Sequence, residues 1–143
     1  KQLYMDEVQT EILLDEAKYD YVIDAIDTIS PKIALLTGCL KRKIKVISSM
    51  GAGGRIDPTR IAYADISETY HCALAKAVRK RLKDAGISKG IKVVFSSEQP
   101  DRNAIIRTDE ERNKKSTVGT ISYLPAIFGC YLAAYVIRKL SQK

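Results

Sequence analysis

The sequence predicts an α/β fold in which short buried strands alternate with longer helices. Residues 21–25, 44–48 and 92–96 are short apolar runs rich in β-branched side chains, the pattern of strands covered on both faces. Between them stand segments with helical start and stop signals, such as Ser30-Pro31 and Gly86. Acidic and glycine-rich segments follow directly after the strands, where ligands of open α/β sheets sit. A length of 143 residues with 45% hydrophobic content suits one domain, or one piece of one.

Taken in order, residues 10–17 hold Ile12, Leu13 and Leu14 among acids and predict a short helix. Residues 21–25 predict a buried strand ending near Asp24. Ser30 is expected to cap free N–H groups of a helix, and Pro31 suits its first turn, where no hydrogen bond is lost. That helix should reach about Lys41. A strand at 44–48 leads into Gly51-Ala52-Gly53-Gly54, and a third strand is expected at 60–64. A helix at 71–84 stops at Gly86, a strand occupies 92–96, and Pro125 opens a last core helix to about Leu140. Residues 99–116 are polar and charged, with the composition of a mobile loop.

The composition narrows the function classes. No charged n-region followed by an apolar core and a small-residue cleavage site opens the sequence, so no signal peptide is expected. The longest apolar run, 123–137, contains Pro and Gly and is shorter than the roughly 20 residues that span a bilayer, so no membrane segment is expected. Cys39, Cys72 and Cys130 are odd in number and widely spaced, which fits a reducing, cytoplasmic setting better than a disulfide scaffold or a zinc site. Cys39 and Cys130 read as packing residues, and the His71-Cys72 neighbours as a helix start. The net charge of +7 favours a polyanionic partner and also serves solubility.

Three segments are candidate sites. Asp24 and Asp27 lie at and beyond a strand end, where carboxylates can hold a metal with a phosphate; Asp there also caps turns. Lys32, one turn into the next helix, opposes the helix dipole, which suggests pairing with an acid or reach toward a phosphate. Gly51, Gly53 and Gly54 permit close backbone approach and an anion nest, or simply a tight turn, and Arg55 and Arg60 beside them suggest a substrate-facing loop. Leu74, Val78 and Leu82 form an apolar stripe on the helix at 71–84, leaving Lys76, Arg79, Lys80 and Lys83 to solvent or to nucleic-acid phosphates.

Tyr21-Val22-Ile23-Asp24-Ala25-Ile26-Asp27, the following Lys32, Gly51-Ala52-Gly53-Gly54-Arg55-Ile56-Asp57-Pro58-Thr59-Arg60 and Asp65-Ile66-Ser67-Glu68-Thr69 together resemble the second half of the E1-like activating enzymes. More narrowly they resemble the tRNA threonylcarbamoyladenosine dehydratases, within the HesA, MoeB and ThiF group. The likeness runs over about residues 19–140, with Ala73 and Val118-Gly119-Thr120 as local departures. It implies a Rossmann-like E1-type adenylation fold, of which residues 1–143 would be the C-terminal part of a single domain without its nucleotide-binding N-terminal half. It implies a homodimeric ATP-dependent enzyme that adenylates the carboxylate of threonylcarbamoyladenosine at position 37 of tRNA and closes a ring with loss of AMP. ATP and Mg2+ are the implied cofactors, with Asp27 as the acid that helps hold Mg-ATP. A sulfur-transfer protein is a further candidate partner. Two alternatives stand beside this: a sulfur-carrier or ubiquitin-like activator of the same fold, and a non-catalytic dimerisation or tRNA-docking fragment.

Overall fold

The computed structural model describes residues 5–101, 105–106 and 117–142. Helix α1 (Glu7–Glu16) begins earlier than periodicity predicts because Asp6 caps it, accepting the Gln9 N–H at 2.8 Å. Strand β1 (Val22–Asp24) is followed by α2 (Ile29–Lys41) and β2 (Val46–Ser49). The cap position of α2 is Thr28 rather than Ser30; Pro31 sits in its first turn, as its fixed φ favours. After the glycine-rich loop come a 3-10 turn (Pro58–Arg60), β3 (Ile61–Asp65), a second 3-10 turn (Ile66–Glu68) and α3 (Ala73–Asp84). Gly86 takes φ +78 just past α3, the left-handed stop expected of it. Strands β4 (Lys92–Ser96), β5 (Ile105–Ile106) and β6 (Thr117–Val118) precede α4 (Tyr123–Ser141).

The main sheet has the order β1-β2-β4-β3. β1, β2 and β4 run parallel, and β3 returns antiparallel along β4, pairing Ile61 with Ser96 through Asp65 with Lys92. Alternation along the strands supplies both faces. Val46, Val93 and Phe95 pack with Leu35, Leu36, Cys39, Ala75, Val78 and Leu82 of α2 and α3, while Ile47, Ile61 and Val94 meet α4. Each fully buried Leu, Ile or Val of these layers contributes about 1.5–3 kcal/mol relative to exposure.

Two expectations change here. Among the described residues β1 lies at one edge of the sheet, and Ile23 is 44% exposed, so the described residues cover this strand on one face only. On α4 a single stripe, Leu124, Phe128 and Leu132, is buried; Cys130 and Ile137 face outward, because one helix covers this side of the sheet among the described residues. Cys130 is therefore not a packing residue. The 99–116 segment falls largely outside the described residues; within it Ile105–Ile106 pairs antiparallel with Thr117–Val118.

Candidate functional site

The parallel strands β1, β2 and β4 bring their carboxyl ends side by side, and the loops that leave them hold most of the residues singled out above. At the floor, Asp24 and Lys32 are both completely buried. The Lys32 ammonium donates to Asp24 Oδ2 at 2.5 Å, to Ser48 Oγ at 3.2 Å and to the Ser49 carbonyl at 3.0 Å, which uses its three N–H bonds. Ser48 Oγ donates to Asp24 Oδ2 at 2.5 Å, and the Ile26 N–H donates to Asp24 Oδ1 at 2.9 Å. Burial pushes the ammonium below its ordinary value, while Asp24, and more weakly Asp27, pull it back up.

This closed network ties the ends of β1 and β2 to the first turn of α2. A buried ion pair of this kind survives because all three ammonium protons have acceptors and both carboxylate oxygens have donors. Of the two readings open for Lys32, pairing with an acid or reach toward a phosphate, this geometry shows the first: Asp24 and Lys32 bind each other. Asp27 stands three residues further on, exposed in the loop that enters α2, and close enough to Lys32 to act on its charge.

The glycine-rich loop is held from inside. Arg55 is 4% exposed, and its guanidinium donates to the carbonyls of Gly51 at 2.9 Å, Gly53 at 3.0 Å, Glu98 at 3.1 Å and His71 at 2.5 Å. Gly54 takes φ +71; its N–H donates to Gly119 O at 2.8 Å, and its carbonyl accepts from the Asp101 N–H at 2.8 Å. The Glu98 carboxylate accepts the N–H groups of Ile56 at 3.1 Å and Asp57 at 2.8 Å. The loop is thus a packed turn whose carbonyls point at Arg55 and whose following N–H groups already hold an anion. The substrate-facing role expected of Arg55 is corrected by this geometry. Arg60 does reach solvent, its Nε 3.7 Å from Asp57 Oδ2.

On α3, Lys76, Lys80 and Lys83 are exposed, but Arg79 is half-buried and turned back to donate to the Thr69 carbonyl at 2.8 Å and to Thr69 Oγ1. Cys72 caps the helix, its Sγ accepting the Ala75 N–H at 3.4 Å, and is 7% exposed. His71 lies just before the helix with φ +52, its Nδ1 3.0 Å from the Ser97 carbonyl. Glu98, Ser97 and Tyr70 escaped the sequence reading, because they join the site through partners up to 43 residues away in the chain.

Among the described residues no group of three or more His, Cys, Asp and Glu side chains gathers around a metal position. A hard cation at Asp27 would therefore share one carboxylate with phosphate oxygens and water, the arrangement Mg2+ favours. Among the described residues no helix is long and apolar enough to cross a membrane.

Comparison with known proteins supplies the family. The chain is 43% identical over 128 residues to the tRNA threonylcarbamoyladenosine dehydratase of Bacillus subtilis (strain 168), covering 85% of this chain and 50% of that protein. It is 35% identical over 142 residues to the enzyme of the same name from Escherichia coli (strain K12), covering 87% of this chain and 53% of that one. Among solved structures, E. coli tRNA N6-threonylcarbamoyladenosine dehydratase, TcdA, in complex with ATP, superposes with a TM-score of 0.82 at 31% identity, over 97% of this chain and 54% of that chain. The chain thus spans about half the length of these relatives. The ThiF family model matches residues 3–143, so with its mixed sheet and flanking helices the chain belongs to the ThiF family and carries its Rossmann-like, E1-type adenylation fold.

Proposed function

We propose that this chain is the C-terminal part of a single adenylating domain in an ATP-dependent tRNA threonylcarbamoyladenosine dehydratase of the cytoplasm. Asp27 carries this reading: its exposed carboxylate lies just past β1, at the sheet end where α/β folds bind ligands, beside a buried ion pair that holds the loop's base. In this proposal the threonylcarbamoyl carboxylate of tRNA attacks the α-phosphorus of ATP, forming an acyl adenylate as pyrophosphate leaves. The activated carbonyl is then attacked from within the same modification, the ring closes and AMP leaves. Bound Mg2+ would neutralise phosphate charge, with Asp27 as its ligand on this chain. Arg60, Lys80 and Lys83, all exposed, are assigned to tRNA phosphates. The outer edge of β1, with Ile23 exposed and no further strand beyond it among the described residues, is where a nucleotide-binding half would extend the sheet. A homodimer, and a sulfur-transfer protein as a further partner, belong to the same proposal.

Substituting Asp27→Asn in the full-length protein tests it. The expected result is a loss of AMP release of about 100-fold on tRNA bearing threonylcarbamoyladenosine, with the folded circular-dichroism spectrum retained. AMP release near the wild-type rate would remove Asp27 from the mechanism. A wild-type protein that binds this tRNA without forming AMP would instead be a docking module, and one that forms AMP only with a small carrier protein would be a sulfur-carrier activator.

A further inference from the structure

The lysines of α3 that the proposal assigns to tRNA phosphates lie on a surface for which it names no contact to a base. Lys76, Arg79 and Lys83 are spaced to share one face of α3, and Lys80 neighbours two of them. Arg79 fixes the direction of this face, because its guanidinium is bound to Thr69. The residue after Thr69 is Tyr70, an aromatic side chain 51% exposed, so the Arg79–Thr69 contact joins the cationic helix to the segment that carries this ring. Its ring is anchored rather than free. It sits edge-on to Phe95 of the core strand β4 at 5.5 Å between centroids, and edge-on to the His71 ring at 5.1 Å.

His71 adds a second sign of preparation. A non-glycine residue at φ +52 is an uncommon, mildly strained conformation that persists when neighbours enforce it. Here the Ser97 carbonyl holds the ring at 3.0 Å and Arg55 holds the backbone carbonyl at 2.5 Å. Ser97 also donates its N–H to the Arg60 carbonyl at 3.0 Å, so the segment that holds the His71 ring also holds the backbone of the exposed Arg60. The acids nearby are engaged: Glu68 accepts the Asp65 N–H at 3.1 Å, and Asp57 pairs with Arg60.

We infer that Tyr70, with His71 edge-on beside it, is a stacking platform for an unpaired base of the RNA substrate, reached along a phosphate track of Lys76, Lys80 and Lys83. The identity of the partner as RNA rests on the proposed function; the surface itself supplies the charge complementarity and the ring. A rigid, half-exposed aromatic side chain flanked by cations suits a splayed-out base, since every base offers a π face and the backbone leading to it is anionic. A duplex keeps its bases stacked inside and would gain nothing from the ring. A membrane surface would call for several apolar side chains on the same face, where α3 presents lysines.

The test uses the full-length protein without ATP and an unmodified RNA hairpin whose loop carries a fluorescent purine analogue, with the same strand fully paired as comparison. Wild-type protein and Tyr70→Phe should bind the loop and change the analogue's fluorescence. Tyr70→Leu should lose that change and bind about tenfold more weakly, the scale of one stacked base. Lys76→Ala with Lys83→Ala should flatten the dependence of log affinity on log salt by about 0.7 per lysine. Equal binding and equal fluorescence change in Tyr70→Leu, equally tight binding of the paired strand, or binding of an acidic peptide at the same site in place of RNA would each overturn the inference. Because neither ATP nor the modified base is present, these results stand apart from catalysis. A protein that binds the loop but never forms AMP would sink the proposed function and keep this surface. One that forms AMP with an unchanged KM for tRNA in Tyr70→Leu would do the reverse.

Discussion

A guanidinium with 4% exposure must find acceptors for its N–H groups inside the protein, and Arg55 finds four backbone carbonyls from three separate segments. Arg55→Ala is expected to leave those carbonyls without donors and to cost about 3 kcal/mol, read as a lower denaturant midpoint. Arg55→Lys should recover only part of this, since an ammonium has three N–H bonds and no planar fork. In the sequence Arg55 and Arg60 look alike, both flanking a glycine-rich turn. Only their surroundings separate a structural tie from an exposed cation. Lys32 was more legible, because a lysine in the first turn of a helix already calls for a negative partner; that the partner is Asp24 and not a phosphate depends on how deeply β1 and β2 bury it.

Elements record the same division. The stripe Val78 and Leu82 on α3 is buried as its spacing predicts, with Ala75 in place of the half-buried Leu74. Spacing also assigned Arg79 to solvent, and its contact with Thr69 is a tertiary matter. Glycines at turn positions show how local and tertiary constraints add. Gly54 and Gly86 both have positive φ, but an added Cβ at Gly54 would lie 3.1 Å from Pro100 Cβ and 3.3 Å from the Asp101 carbonyl, whereas at Gly86 it would meet nothing within 4 Å. Gly86→Ala should therefore cost about 1 kcal/mol for the backbone conformation alone. Gly54→Ala should cost about 1 kcal/mol more, from crowding against the 100–101 segment. Thermal unfolding of the two variants side by side checks the order.

At the scale of the whole molecule, acid sensitivity follows from where carboxylates are held. Hydrogen bonds and charge from Arg42 lower the Glu11 and Asp15 carboxyls and tie α1 to the end of α2. Burial works against Asp65, yet the N–H groups of Ser67 and Gly90 and the Ser67 hydroxyl hold it down. Below the ordinary values of 4.5 for Glu11 and 3.8 for Asp15, the unfolded chain binds protons that the folded chain still refuses. The stability these groups supply is thus complete above that range and is lost as pH falls through their lowered folded values. Urea midpoints measured from about pH 6 to about pH 3 should drop, and Arg42→Met should make that drop shallower. An unchanged slope in Arg42→Met would remove the α1–α2 ion pairs from the cause.

By itself the sequence determined the α/β class, the succession of strands and helices, and the family, through Asp24-Ala25-Ile26-Asp27 and the run from Gly51 to Arg60. These are local properties, written in periodicity, turn chemistry and short motifs. The tertiary structure decided that β1 stands outermost among the described strands, that β3 runs antiparallel, and which charged groups at the strand ends look inward. Asp24, Lys32 and Arg55 turn in and Asp27 and Arg60 turn out because burial removes water from the first set and supplies partners in its place. Those partners come from other strands and loops, up to 43 residues away for Arg55, and only the folded sheet brings them within hydrogen-bonding distance.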